Sequence, residues 1–279
     1  MYGPASLPQL APITVLLILL EIAVGTAVVS YVLDVIGRVG RGFVGTTALI
    51  CAAVMGLVVL VTALISPGPH LLNGSVSAGG VDSFVHWCVA FALLLIGLAA
   101  FCLVGTDAAR RVVGLVALAA GAVAVGKAAA AFGPALGGPV AAAIVLVPST
   151  LLAGSALAGM LLGHWYLVAP SLSFRPLRQA IYIILAAVAF QSAVLVAVVT
   201  TATPAARDQL LRTDYALPFW LLVVGSGVVF TTAVTLLTLH FARIRANQPA
   251  TAMMYALIIS VVMGVIPAHL LFFLTGAPV

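Results

Sequence analysis

The chain has 279 residues, of which 64% are hydrophobic and only 6% are charged. This composition lies far outside the range of soluble globular domains and predicts an integral membrane protein in contact with a lipid bilayer. The formal net charge of +5 comes from arginines that stand beside apolar stretches. It therefore indicates loops at a membrane surface and does not indicate nucleic-acid binding.

Eight apolar stretches follow one another, each close to the roughly 20 residues that a bilayer core of about 30 Å requires. We predict an all-α protein with transmembrane helices over 12–34, 43–66, 84–105, 112–133, 142–166, 179–202, 217–240 and 251–274. No basic residue precedes the first stretch and no cleavage pattern follows it, so it is expected to be a retained helix. The connection 203–216 fits either a short interfacial helix or a solvated loop.

Arginines recur in every second loop, and this pattern predicts the orientation of the chain. The four pairs are Arg38 with Arg41, Arg110 with Arg111, Arg175 with Arg178, and Arg243 with Arg245. Because positively charged loops remain in the cytoplasm, we expect a multi-pass protein of a plasma membrane, such as a bacterial inner membrane, with both termini outside.

The spacing of the arginines also suggests an internal duplication. Arg38 and Arg175 are 137 residues apart, and Arg110 and Arg243 are 133 apart. The prediction is two four-helix bundles in parallel orientation, formed by residues 1–137 and 138–279. Charge bias alone produces the same spacing, so both explanations stay open.

Two charged residues fall well inside predicted spans, at a cost of about 2.5 to 3.5 kcal/mol each. Glu21 lies near the middle of the first helix and Lys127 in the outer third of the fourth. With His86, at the outer start of the third helix, they form a predicted catalytic site for proton exchange in the outer leaflet. The alternatives are a structural ion pair, a snorkelling lysine and an interfacial histidine.

Two further regions are predicted to bind a cofactor. His269 follows Pro267 by two residues, and a helix-breaking proline frees backbone carbonyls near the imidazole. The string His164-Trp165-Tyr166 follows the small residues Gly159 and Gly163, which should bring a neighbouring helix close. Such a cluster suits either a flat redox head group or an inner aromatic belt.

Metal binding has weak support. His164 and His240 lie on helices that would be diagonal in a bundle, the arrangement in which two histidines hold a b-type haem. The predicted spans put His164 several residues deeper than His240, which argues against a shared iron. The three cysteines, Cys51, Cys88 and Cys102, form no metal-ligand pattern and are expected to be packed in the core.

These features favour the membrane subunit of a quinone-dependent redox complex, either non-catalytic or quinone-binding, whose partner subunits carry the electron-transfer centres. Small-solute or ion transport, haem binding and a structural or assembly role are the alternatives. In helix count and layout the chain resembles the membrane subunits of polysulfide reductases, which have two four-helix bundles and no cofactor of their own. It also resembles haem A synthase in having two four-helix halves. Neither resemblance extends to a diagnostic motif, so no residue role is taken from them.

Overall fold

The computed structural model describes residues 7–37, 39–65, 76, 78–133, 138–169, 173–212, 214–276 and 278. These ranges contain helices and short connections, with no strand among them. Eight of the helices are long and apolar enough to cross a membrane, which confirms the predicted number of spans. Arg38 and the connecting residues 66–75 and 134–137 lie outside the described residues.

The helices are labelled in chain order. They are α1 (Leu7–Val32, continued by a π-helical turn at Leu33–Gly37), α2 (Arg41–Ile65), α3 (Ala78–Val104), α4 (Asp107–Phe132), α5 (Pro139–Val168), α6 (Arg175–Thr201), α7 (Pro204–Arg212), α8 (Ala216–Arg243) and α9 (Asn247–Thr275). The short α7 lies within the connection that the sequence left open between helix and loop. Most of the spans extend beyond the predicted limits, because hydropathy marks only the apolar part of a helix that continues through polar turns.

The middle of α8 departs from α-helical geometry. Residues Phe219–Phe230 form a π-helix between the α-helical pieces Ala216–Pro218 and Thr231–Arg243. Where the π-helix returns to α-helix, the backbone N–H of Thr231 donates to the carbonyl oxygens of Ser226 and Val228. π-Helical turns are rare and often occur where a helix meets a functional region.

Helix contacts are mostly between neighbours in the chain. In the first half α1 packs on α2 and α4, and α3 packs on α2 and α4. In the second half α5 packs on α6 and α9, and α8 packs on the same two helices. The two sets meet chiefly where α1 lies against α5, which makes α1 the most buried of the eight spans.

A close helix crossing holds α1 against α5. A Cβ atom added to Gly25 would lie 1.8 Å from the carbonyl oxygen of Thr150, and one added to Gly154 would lie 2.2 Å from Cα of Gly25. Thr26 donates a hydrogen bond to the carbonyl of Gly154 at 3.2 Å. In lipid, such small residues allow backbones to approach and gain dispersion contacts. This crossing fixes the helix faces that carry the site described next.

Contacts at the helix ends bring the arginine-bearing connections to one end of the molecule, here named the arginine end. Arg41 at the start of α2 bonds to Asp107 at the start of α4. Trp165 near the end of α5 packs edge-on against Phe43 of α2. Asn247 at the start of α9 donates to the carbonyl of Tyr166. The opposite end is the one at which α1 and α5 begin and α9 ends.

Candidate functional site

Glu21 lies where α1, α5 and α9 meet and is completely buried. Its Oε1 atom accepts a hydrogen bond from the hydroxyl of Ser149 at 2.8 Å and lies 2.9 Å from Nε2 of His269. Ser149 and His269 are buried as well. The other carboxylate oxygen, Oε2, is buried without a hydrogen-bond partner among the described residues. Glu21, Ser149 and His269 are together named the Glu21 site.

The hydrogen bonds around His269 determine how many protons the site holds. Nδ1 of His269 lies 2.9 Å from the carbonyl oxygen of Val265, which can only accept, so Nδ1 carries a hydrogen. The contact between Nε2 and Glu21 needs one more hydrogen, bound either to the imidazole or to the carboxyl group. The imidazolium–carboxylate and imidazole–carboxylic acid forms differ only in the position of that proton. The two groups can therefore share one proton within a membrane span.

Ser149 links the carboxylate to α5. Its hydroxyl lies 2.6 Å from the carbonyl oxygen of Val145 and 2.8 Å from Oε1 of Glu21. A hydroxyl has one hydrogen, so it donates to only one of these two acceptors at a time. When the carbonyl takes that hydrogen, the contact to Glu21 is satisfied only by a protonated carboxyl group. Because the same Oε1 atom contacts Nε2 of His269, that arrangement needs one proton more than the two shared-proton forms, and in both of those Ser149 donates to Glu21.

Pro267 was expected to free a backbone carbonyl near the imidazole of His269, but the carbonyl that contacts this imidazole is a different one. A proline at this position removes the hydrogen bond to the carbonyl four residues earlier, that of Met263. The imidazole of His269 instead bonds to the carbonyl of Val265, one helical turn before it. The partner carbonyl is thus one that the proline does not free.

Two residues of the predicted catalytic set lie apart from Glu21. The partner of Glu21 is His269, and Lys127 is half-buried with no ion pair among the described residues. His86 is exposed on α3, where Nδ1 contacts the carbonyl oxygen of Asp82 at 2.7 Å. It lines a groove of about 380 Å³ between α2 and α3 with Val59, Thr62, Ala63, Val81, Asp82 and Val85. The expected contact between Glu21 and Lys127 is therefore replaced by one with His269.

The predicted aromatic cluster does not converge on one pocket. His164 is exposed, with Nδ1 3.2 Å from the hydroxyl of Tyr255 on α9. Trp165 packs against Phe43, whereas Tyr166 is buried and donates to the carbonyl of Ser173. Consecutive residues of a helix point about 100° apart, so the three rings face three different neighbours.

The expected depth difference between the two candidate haem ligands is wrong. His164 and His240 each lie about one turn before the end of their helices, α5 and α8, which both end at the arginine end. Both helices pack on α6 and α9. The residues that the structure describes contain no group of three or more His, Cys, Asp or Glu placed to hold a metal ion.

A second buried ionic contact was not predicted from the sequence. Asp34 at the end of α1 and Arg110 of α4 form a salt bridge of 2.6 Å, and each side chain is no more than 5% exposed. The cavity beside it, of about 20 Å³, is lined in part by Ser30 and Tyr31 and is large enough for one water molecule. The sequence did contain a signal for this contact, because Asp34 is a charged residue within the predicted first span. Arg110 was interpreted only as an indicator of the orientation of the chain.

Comparisons with protein-family models, with curated proteins and with solved structures each give no match for this chain. The fold and the apolar spans define it as a multi-pass membrane protein. Its function must be inferred from the Glu21 site and its surroundings.

Proposed function

We propose that this protein is the membrane-embedded subunit of a redox complex, in which the Glu21 site exchanges a proton while a quinone or quinol reacts. The observation that carries the proposal is the buried contact between Glu21 and His269, which holds one proton between two ionisable groups. Quinol oxidation releases protons as electrons leave, so such a subunit needs groups that accept protons inside the membrane.

The cost of burying these groups supports a functional role. A charged side chain at the centre of a membrane span costs several kcal/mol, and a contact between two such groups recovers this only in part. Apolar residues of similar volume would pack at the same junction without that cost. A carboxylate and an imidazole retained there are consistent with proton exchange.

The quinone is proposed to bind in the groove at His86. The groove is mostly apolar, as a quinone ring and tail require, and it offers Thr62 and His86 as polar groups. Because Nδ1 of His86 donates to the carbonyl of Asp82, Nε2 of the neutral imidazole is left as an acceptor for a quinol hydroxyl. The electron-transfer centres would belong to partner subunits, since the three cysteines lie singly along α2 and α3.

The proposed arrangement has two four-helix halves in parallel orientation, with both termini outside and the arginine end in the cytoplasm. In two parallel halves α1 corresponds to α5, α2 to α6 and α4 to α9. The contacts between the halves support this correspondence, because α1 contacts α5. In addition, α1 contacts α9 and α6 just as α5 contacts α4 and α2. Under this arrangement α1 and α5 are equivalent helices beside a pseudo-two-fold axis. The quinone groove would then open towards the outer leaflet.

The test is quinol-linked turnover of the intact complex, purified from its native membrane with its quinone content measured in the lipid extract. Glu21→Gln, His269→Gln and His86→Ala should each lower turnover about a hundredfold, the lower end of the range for a removed acid–base group, with unchanged assembly. His240→Gln is the matched control, an exposed histidine away from both regions. Full turnover in the Glu21 and His269 variants would exclude the proposed proton site.

Transport of a small solute or ion is the second candidate, favoured by a polar seam between α8 and α9. Ser226 donates to the carbonyl of Ser260, and the hydroxyls of Thr231 and Ser260 lie 2.9 Å apart. This seam starts at the π-helix, and its α9 residue, Ser260, lies about two and a half turns before His269. Proton flux in proteoliposomes that contain only this protein would favour transport, whereas bound quinone without flux favours the redox role.

A further inference from the structure

Four arginines surround one cavity at the arginine end, between the start of α6 and the end of α8. The cavity has a volume of about 550 Å³ and is lined by Ser173, Phe174, Arg175, Arg178, Ala242, Arg243 and Arg245. All four arginines are exposed. Because cytoplasmic loops are rich in arginine in general, the number of arginines alone does not make a site. Their convergence on one cavity requires a further explanation.

None of the six acidic side chains, all of which belong to the described part of the chain, lines the cavity. The six acidic residues are Glu21, Asp34, Asp82, Asp107, Asp208 and Asp214. At the arginine end, Asp34 binds Arg110, and Asp107 binds Arg41 and contacts Arg110. The other four lie in the interior or towards the opposite end of the molecule. Asp34 and Asp107 thus partly compensate the arginines at the starts of α2 and α4, whereas no acidic side chain among the described residues lines the cavity.

The helix geometry makes this concentration of positive charge less favourable still. Arg175 is the first residue of α6 and Arg178 follows in the first turn, where the partial charge of the helix is already positive. The N-terminus of α6 has no acidic residue in its first turn and no side-chain cap. Cations at this end are unfavourable, whereas an anion would be stabilised by both the helix and the guanidinium groups. The arrangement is complementary to an anion.

The backbone at the far side of the cavity is also unusual. Arg245 has φ of 59°, the one positive φ outside glycine in the described chain. L-amino acids rarely adopt this conformation. Here it ends α8 as a left-handed cap, in which the backbone N–H of Ala246 donates to the carbonyl of Phe241. It directs the chain between α8 and α9 at the point where Arg243 and Arg245 border the cavity. Arg243 also lies 3.4 Å from the hydroxyl of Tyr182 on α6, which ties the two walls together.

We propose that this cavity binds a phosphate group, namely the headgroup phosphate of an anionic phospholipid. Guanidinium groups bind phosphate oxygens through paired N–H donors, and basic pockets between transmembrane helices at the cytoplasmic side take anionic headgroups. The position favours a lipid over a soluble phosphate, because the cavity lies at the ends of two membrane spans. The site is independent of the Glu21 site and of the proposed redox function.

The test is native mass spectrometry of the full-length protein in mild detergent, titrated with phosphatidylglycerol or with phosphatidylcholine of the same acyl chains. Phosphatidylglycerol should bind more tightly. Arg178→Gln should weaken its binding about fivefold, and Arg178→Gln with Arg243→Gln about thirtyfold. Arg111→Gln is the matched control, because it removes the same charge at the same end outside the cavity. It should change binding less than twofold.

Three outcomes would overturn the proposal. The first is equal binding of the two lipids by the unmodified protein. The second is an equal loss in the Arg111 variant, which would mean that only net charge matters. The third is displacement of the lipid by millimolar inorganic phosphate, which would assign the cavity to a soluble phosphate compound. Thermal unfolding of each variant, expected to be unchanged for exposed side chains, shows that weaker binding is not a loss of folding.

Discussion

The ionic contacts of Asp34 and Asp107 show how burial changes the contribution of an ionic contact to stability. The side chain of Asp107 is 62% exposed and interacts with Arg41, whose side chain is 44% exposed. Asp34 and Arg110 are both buried, so each depends on the other for charge compensation. Removing one partner of a buried contact leaves the other charge without compensation, whereas an exposed charge is compensated by water.

We predict that Asp34→Asn lowers the free energy of unfolding by about 3 to 5 kcal/mol, the usual cost of leaving one member of a buried ionic contact. The measurement is reversible unfolding in mixed micelles. Asp107→Asn is the control, and it should leave stability almost unchanged because that carboxylate is exposed. Equal effects of the two substitutions would contradict the difference in burial.

The Glu21 site allows structure and function to be separated by a double substitution. His269→Leu alone should destabilise the protein by about 3 to 5 kcal/mol, since a buried carboxylate would lose its partner. Glu21→Leu combined with His269→Leu should recover most of that stability, because apolar residues replace both charged groups. Unfolding and quinol-linked turnover are then compared.

If the site has only a structural role, the double variant regains turnover together with stability. If the site exchanges protons, stability returns and turnover does not. Recovery of both would therefore contradict the proposed function while leaving the contact itself intact.

At the scale of single residues, the sequence predicts which side chains of the Glu21 site matter better than it predicts their contacts with one another. Glu21 and His269 stand out because an ionisable side chain inside an apolar span is costly. Their contact depends on which faces of α1 and α9 meet, and a single sequence carries no signal for that. Ser149 was not singled out, because a serine inside an apolar helix normally bonds to its own backbone, as Ser149 also does with Val145.

At the scale of helices, close approach between α1 and α5 positions the Glu21 site. Gly25 lies one turn from Glu21, and Gly154 lies just over one turn from Ser149. Any side chain at the crossing would push the helices apart and lengthen the contact between Glu21 and Ser149. The crossing therefore links packing directly to the proposed chemistry.

We predict that Gly25→Ala destabilises the protein and lowers turnover, because its Cβ would overlap the carbonyl oxygen of Thr150. The expected loss is about 1 to 3 kcal/mol or more, as for other overpacked positions. Gly126→Ala on α4 is the control, since nothing lies within 4 Å of its added Cβ. Alanine should stabilise that helix by up to about 1 kcal/mol. Equal stability of both variants would contradict the crossing.

Small-residue spacing predicts helix contacts only where it is regular. The expectation that the face with Gly159 and Gly163 brings a neighbouring helix close is confirmed, because Met254 and Thr251 of α9 lie against these glycines. The crossing at Gly25 was not predicted, since the positions four residues before and after Gly25 are occupied by Glu21 and Val29. Its partner Gly154 lies on another helix, and pairing across helices is set by the whole bundle.

At the scale of the whole molecule, hydropathy identifies the spans but not their burial. The most apolar span, α2, has a mean hydropathy of 2.9 and is 33% buried, whereas α1 has 2.4 and is 78% buried. Lipid chains are as apolar as a protein core, so a helix that faces lipid can be as hydrophobic as one that is buried in the protein. The central position of α1 thus follows from small residues and polar contacts, which hydropathy does not measure.

The orientation of the molecule is testable because its own cysteines are shielded. Cys51, Cys88 and Cys102 are all buried, so a membrane-impermeant maleimide should leave the unmodified protein unlabelled in intact cells. Single cysteines can then be introduced at exposed positions, Ala108 at the arginine end and Ala205 in α7 at the opposite end. Ala205→Cys should be labelled in intact cells, whereas Ala108→Cys should be labelled only after the membrane is opened.

Labelling of Ala205→Cys, but not of Ala108→Cys, in intact cells is expected from the distribution of arginines. The connections at the arginine end contain Arg41, Arg111, Arg175 and Arg243, whereas α7 at the opposite end contains Arg207 and Arg212. Because basic residues near a span are retained in the cytoplasm, the end with more of them is expected inside. Labelling of Ala108→Cys alone in intact cells would reverse the assignment. It would move the quinone groove to the inner leaflet and the arginine cavity to the outer surface, where the proposed source of anionic lipid would have to be reconsidered.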